Sequence, residues 1–235
     1  MELNGMTAPI GILMLESRFP RIPGDMGHPA TWPFPVLVRV VPGASPRRVV
    51  CEGGGDTLDA FVAAARELVA EGAVGITTTC GFLSLYQDAL ATAVGVPVAT
   101  SSLMQVELVN RVLPQGRRAG ILTISAASLT PAHLAAARVP KGTPIGTTEA
   151  GGEFSRVILN DLPEMDVDLA RADTVNAARA LAAAHPDLGA IVLECTNMTP
   201  HAADIRAATG LPVYSIYDFV CWFRAGLCPT RHPAP

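Results

Sequence analysis

Lysine is all but missing from this chain. Lys141 stands alone, and arginine supplies every other cation among the 17 Lys+Arg of a 235-residue sequence. No basic run forms and the net charge is −4, so the electrostatic footprint of a nucleic-acid surface is absent. Charged residues are also scarce, at 16%, yet no uninterrupted apolar stretch reaches the roughly 18 residues that a spanning helix needs. Residues 1–8 lack a positive leader region, and the apolar run Ile10–Leu15 stops at Glu16, so neither a signal peptide nor a membrane segment is expected. Cysteines number five, an odd count with no Cys-x-x-Cys and no Cys/His cluster at zinc-ligand spacing. That usage suits reduced thiols in a cytoplasm, with no metal site and no disulfide framework.

What the chain does have is apolar residue, 49% of it, and length enough to bury a core without staples. Short β-type runs at 10–15, 36–41, 74–77, 96–99, 119–124, 145–148, 190–193 and 213–215 alternate with Ala-rich helical patterns at 57–71, 83–94, 102–112, 131–139, 153–160, 168–184, 200–209 and 216–226. Such alternation predicts α/β architecture with parallel sheets covered by helices on both faces. The runs lack period-two alternation, as strands buried on both faces should. Thr130-Pro131 and Thr199-Pro200 each place an N-cap candidate before a proline at the first helical position. Gly72 and Gly95 are candidates for left-handed helix ends.

Two segments repeat one design. Gly75-Ile-Thr-Thr-Thr-Cys80 is followed, fourteen residues on, by Gly95-Val-Pro-Val98; Ala190-Ile-Val-Leu-Glu-Cys195 is followed, fourteen residues on, by Gly210-Leu-Pro-Val213. Gly11-Ile-Leu13 recurs as Gly120-Ile-Leu122, and Asp56-Thr57 as Asp173-Thr174, each pair taken as a helix start. The common offset, roughly 110–117 residues, is far too long for a solenoid repeat. It predicts two pseudo-symmetric Rossmann-like halves, each with a parallel four-stranded sheet and with the active site at their interface. The first half is expected over residues 1–100 plus 214–235, the second over 101–213.

In an open parallel sheet ligands bind outside the carboxyl ends of the strands, where Cys80 and Cys195 both fall. A lone cysteine there is ordinarily a small buried hydrophobe; two at equivalent places of a duplicated unit point to chemistry. A helix N-terminus after each cysteine is expected to welcome an anion and to lower the thiol pKa from about 8.5. One thiolate could then take a proton from a carbon while the opposite thiol returns one to the other face. Developing enolate charge needs donors, and the candidates are Thr77, Thr78, Thr79, Gly81, Ser125, Ser128, Thr196 and Asn197. Cys221 and Cys228 read as core, and Cys51 has no companion. His28, His133, His185 and His232 have no partner visible in the sequence.

The motifs Thr78-Thr79-Cys80-Gly81-Phe82 and Leu193-Glu194-Cys195-Thr196-Asn197-Met198 resemble those of the aspartate/glutamate (hydantoin) racemase superfamily of cofactor-independent two-cysteine enzymes. That resemblance spans nearly the whole chain. It implies Cys80 and Cys195 as the catalytic acid/base pair, a small-molecule carboxylate substrate, no metal and no pyridoxal phosphate, and a homodimer or higher homo-oligomer. Ser17, Thr79, Gly81, Phe82, Ser125, Thr196 and Asn197 are the expected substrate-binding residues. The chain departs from glutamate racemases, which have Asn-Thr where Gly81-Phe82 stand and Thr-His where Thr196-Asn197 stand; His201 is expected on the next helix instead. The superfamily's decarboxylases keep only the second cysteine. The expectation is a racemase of an amino acid or related carboxylate. The alternatives are a maleate-type cis–trans isomerase with a cysteine nucleophile and a non-enzymatic carboxylate-binding or redox-sensing protein.

The segment 16–35 stands apart, with five prolines and two glycines in one long loop. Prolines stiffen it into a pre-shaped wall. Arg18 and Arg21 are candidates to clamp a distal carboxylate, and Phe19, Trp32 and Phe34 to build an apolar pocket.

Overall fold

The structure is a computed structural model that describes residues 8–149 and 152–230. Residues 1–7 of the leader reading, and His232, lie outside the described residues. Among the described residues, eight strands form two parallel sheets of four. β1 (Ile10–Leu15), β2 (Val36–Val41), β3 (Gly75–Thr78) and β4 (Val98–Ala99) run in the order β2-β1-β3-β4. β5 (Arg118–Thr123), β6 (Ile145–Thr147), β7 (Leu188–Leu193) and β8 (Val213–Tyr214) repeat that order as β6-β5-β7-β8. The α/β reading with two parallel four-stranded sheets is therefore what the chain adopts. Ile191, Val192 and Leu193 of β7 are fully buried, as are Ile10, Ile12 and Leu13 of β1, which explains their unbroken apolar runs.

The described helices are α1 (Pro46–Val50), α2 (Leu58–Ala70), α3 (Gln87–Val94), α4 (Val106–Val112), α5 (Pro131–Ala136), α6 (Glu153–Leu159), α7 (Val167–Ala184), α8 (Ala202–Thr209) and α9 (Ile216–Leu227). Gly95 ends α3 and Gly210 ends α8, both left-handed at φ +70° and +71°. A side chain would be strained at either position. Thr130 caps α5 with Pro131 in its first turn, and His133 Nδ1 accepts from the Thr130 N–H at 3.2 Å, closing a capping box.

Two local expectations are corrected. Pro200 does not open a helix: it lies inside the 3-10 turn Thr196–His201, and α8 starts at Ala202. Asp173 does not start a helix either. Asp166 caps α7, accepting from the N–H groups of Asp168 and Leu169. Asp173 sits inside α7, and its carboxylate accepts from Phe154 N at 3.0 Å at the start of α6. A capping side chain has been used across the fold rather than along its own helix, so the Asp56/Asp173 pair is not a structural match.

The C-terminal helix α9 buries Ile216, Phe219 and Val220 in a cluster with Ile10, Ile12, Met26, Trp32 and Ala99, each large side chain contributing about 1.5–3 kcal/mol. The proline-rich loop joins this cluster through Trp32, which stacks on Tyr217 at 5.4 Å and donates its indole N–H to Met26 O at 3.0 Å. Trp32 and Phe34 thus brace α9 rather than line a pocket. No helix among the described residues is long and apolar enough to cross a membrane.

Candidate active site

The two sheets present matching strand ends to one another. Thr79 N donates to Leu13 O at 3.0 Å in the first half, and Glu194 N donates to Leu122 O at 2.8 Å in the second. Thr79 and Glu194 are therefore equivalent, as are Cys80 and Cys195, and Gly81 and Thr196. Both cysteines cap a six-residue 3-10 turn, Gly81–Tyr86 or Thr196–His201, which leads into α3 or α8.

The halves touch at these residues. Thr196 Oγ1 donates to Thr79 O across the interface at 2.7 Å. The equivalent position, Gly81, has no room for a side chain: a Cβ there would stand 2.3 Å from Glu194 Oε1 and 2.4 Å from Glu194 O. Glycine is needed here for close approach of the opposite half. Beside this contact, and not across it, Ser102 donates its hydroxyl to Leu193 O.

Between the halves lies a narrow cavity of about 20 Å³, lined by Thr79, Cys80, Gly81, Glu194, Cys195, Thr196 and Asn197 with an apolar wall of Leu15, Phe19, Val50, Ile124 and Ile158. It has room for about one water molecule. Of the residues expected from the sequence, Cys80, Cys195, Thr79, Gly81, Thr196 and Asn197 meet here. Ser17, Phe82 and Ser125 lie off its lining. Ser17 Oγ accepts from Arg21 at 3.0 Å, Phe82 packs edge-on against His133 at 5.1 Å, and Ser125 Oγ donates to Glu149 at 2.6 Å.

Most of the expected hydroxyl donors are already committed. Thr77 donates to Ala99 O at 2.8 Å and Thr78 to Thr100 O at 2.7 Å. Thr79 differs: its Oγ1 accepts from Leu15 N at 3.1 Å, which uses a lone pair and leaves the O–H able to donate into the cavity. The cationic clamp is likewise spent. Arg18 pairs with Asp161 at 3.2 Å on the surface, and Arg21 pairs with buried Asp25 at 2.7 Å while lying over the Phe19 ring.

Asp25 was not singled out from the sequence, yet it ties the proline-rich loop to the second cysteine. Its carboxylate accepts from Arg21, from Gly27 N at 2.8 Å and from Asn197 Nδ2 at 2.5 Å. The Asn197 amide is thereby turned so that Oδ1 accepts from the Cys195 thiol at 3.7 Å. Asp25→Asn is expected to weaken this chain of contacts, lowering stability by about 1–2 kcal/mol, as urea unfolding would measure.

The expectation of lowered thiol pKa values is overturned. Burial, and then the nearby Glu194 carboxyl, push Cys80 well above the usual thiol range, against the N–H groups of Phe82 and Leu83 and the charge of Arg21. Cys195 is raised by the same two causes, with only the Asn197 N–H opposing among its hydrogen bonds. The cysteines are 7% and 6% exposed, and desolvation outweighs what one short turn's N–H groups supply. Glu194, itself 0% exposed, is pushed by burial up to about 7, against bonds from Thr123 and Ile124 N. His201, buried at the end of the second turn, is lowered by burial.

No family model matches the chain. It is 30% identical over 219 residues to a dimethylsulfoniopropionate lyase of Durusdinium sp. clade D, covering 88% of this chain and 71% of that one. It is 30% identical over 234 residues to dimethylsulfoniopropionate lyase 7 of Emiliania huxleyi, covering 93% and 67%. Among solved structures it superposes on an unliganded arylmalonate decarboxylase (TM-score 0.56, 19% identity, 97% and 96% covered). It also superposes on the aspartate racemase of Picrophilus torridus (0.59, 13%, 95% and 95%). The allantoin racemase of Pseudomonas fluorescens is similar to the same degree (0.59, 14%, 96% and 99%).

Proposed function

We propose that this chain, which belongs to the family of the dimethylsulfoniopropionate lyases and carries the fold of the aspartate/glutamate racemase superfamily, removes the α-proton of a small carboxylate with a cysteine thiolate and no cofactor. The observation that carries this reading is the placement of both thiols on one buried cavity between the halves. Cys80 is the base. Two N–H groups favour its thiolate, whereas the Cys195 thiol donates to Asn197 Oδ1.

The reaction that fits the family is β-elimination. The Cys80 thiolate takes the α-proton of dimethylsulfoniopropionate and becomes a thiol. The electron pair left on carbon forms the Cα–Cβ double bond, the Cβ–S bond breaks, and its pair leaves on neutral dimethyl sulfide, with acrylate remaining. Two features support a substrate that brings its own positive charge. Burial disfavours a thiolate and a nearby cation favours it, and both loop arginines are already paired. The apolar wall of Leu15, Phe19, Val50, Ile124 and Ile158 suits sulfonium methyl groups better than a second carboxylate. Admission of substrate into so small a cavity requires its walls to part, and the Arg18–Asp161 and Asp25–Asn197 contacts are the ties on the loop side.

Racemisation is the second reading. The specific observation in its favour is that Cys80 and Cys195 are symmetry equivalents, one from each half, as proton handling on two faces requires. Incubation with dimethylsulfoniopropionate, aspartate, glutamate and maleate separates the two, read by headspace dimethyl sulfide and chiral chromatography. Elimination gives dimethyl sulfide from the first compound alone. Racemised amino acid without dimethyl sulfide would overturn elimination in favour of the second reading.

A further inference from the structure

Glu194 closes the run Ile-Val-Leu-Glu at the end of β7 and has no counterpart in the first half, where Thr79 stands. It is fully buried and lines the cavity. Its two oxygens are not alike. Oε2 accepts from Thr123 Oγ1 at 2.7 Å, whereas Oε1 is buried and has no hydrogen-bond partner among the described residues. Oε1 is also the atom that stands 2.3 Å from where a Gly81 Cβ would be, so it faces across the interface beside Cys80. Leaving a buried polar atom unpaired costs about 1–3 kcal/mol, and such an atom in a site calls for a ligand. The Thr196 hydroxyl donates to Thr79 O and Thr79 Oγ1 accepts from Leu15 N, whereas Glu194 Oε1 is buried on the cavity with no partner among the described residues.

We propose that Glu194 is a substrate-binding acid: it carries its proton on Oε1 and donates it to an oxygen of the substrate carboxylate. This rests on the carboxylate reading of the same site. The bond strengthens as negative charge moves onto that oxygen when the α-proton leaves, which places the contact where it lowers the barrier. The charge balance of the cavity agrees. Cys80 faces Glu194 from the opposite half, Cys195 adjoins it, and Arg21 and Asp25 approach from the loop as a neutral pair. An ionised Glu194 would repel the substrate carboxylate and oppose thiolate formation at both cysteines; a protonated one does neither. Burial holds its pKa up at about 7, so the acid form is well populated near neutrality, the way an apolar site keeps a carboxyl as a donor.

The test is binding of propionate, which has the carboxylate and no leaving group, by calorimetry at about pH 6 and about pH 8. The wild-type protein is expected to bind about tenfold more weakly at the higher pH, as the acid form is depleted. Glu194→Gln, which keeps a donor and cannot ionise, is expected to bind at both with equal affinity. Glu194→Leu is expected to bind weakly at both. Equal wild-type affinity at the two pH values would overturn the role of Glu194 while leaving the carboxylate reading intact, and needs no variant to fold. A tenfold fall retained in Glu194→Gln would assign the titration to another group and overturn it equally. No propionate binding at either pH would overturn the carboxylate reading itself.

Discussion

Cys80→Ala is expected to lower turnover about 10³–10⁴-fold with little change in the fold. The reasoning is chemical. The α-hydrogen of a carboxylate is barely acidic, and Cys80 is the base proposed to take it. The loss should fall on kcat and kcat/KM together, because the contact matters only as the proton moves. Cys195→Ala separates the readings. Elimination needs no proton returned to carbon, so that variant is expected to lose about 10-fold, through disturbance of Asn197 and the loop. Racemisation needs both thiols, and both variants would then be equally inactive. Stopped assays with circular dichroism on each variant check this. Cys80→Ala with turnover near wild type would remove Cys80 from the chemistry.

Gly81→Ala is expected to be the most damaging single-methyl change in the interface. The added Cβ meets Glu194 Oε1 at 2.3 Å and the Glu194 carbonyl at 2.4 Å, and the carbonyl is backbone that cannot swing aside. The halves must separate by a fraction of an ångström, disturbing the Thr196–Thr79 bond and the alignment of the two cysteines. Overpacking of this kind costs about 1–3 kcal/mol, and misplacement of reacting groups by an ångström costs about 10²-fold in rate. Urea unfolding and steady-state kinetics read the two effects. Thr196→Ala, at the equivalent place in the other half, removes one hydrogen bond and is expected to be milder, at about 1 kcal/mol.

Much of this site was legible because the duplication is written in residues whose reasons are local. Apolar runs buried on both faces, a cysteine at each strand end and glycines in the left-handed conformation at Gly95 and Gly210 all leave marks in sequence. What escaped was tertiary. Asp173 looks like a helix start because acidic caps are a local signal, but it caps α6 from within α7. Arg18 and Arg21 look like a clamp because sequence does not reveal that Asp161 and Asp25 meet them. The thiols were expected to ionise readily because a helix N-terminus can be read from sequence whereas depth of burial cannot. Glu194 carried a visible signal, an acid closing a wholly apolar strand. Its importance emerged only from its burial and from the oxygen left without a partner.

The central claim is that a cysteine takes the α-proton. Dimethyl sulfide release from dimethylsulfoniopropionate carrying two deuterons at the α-carbon tests it most directly. The account predicts release slowed several-fold relative to the unlabelled compound, with one α-deuteron kept in the acrylate, and release all but lost in Cys80→Ala. Absence of both dimethyl sulfide and any exchange of the α-label into solvent, with folded wild-type protein, would contradict it.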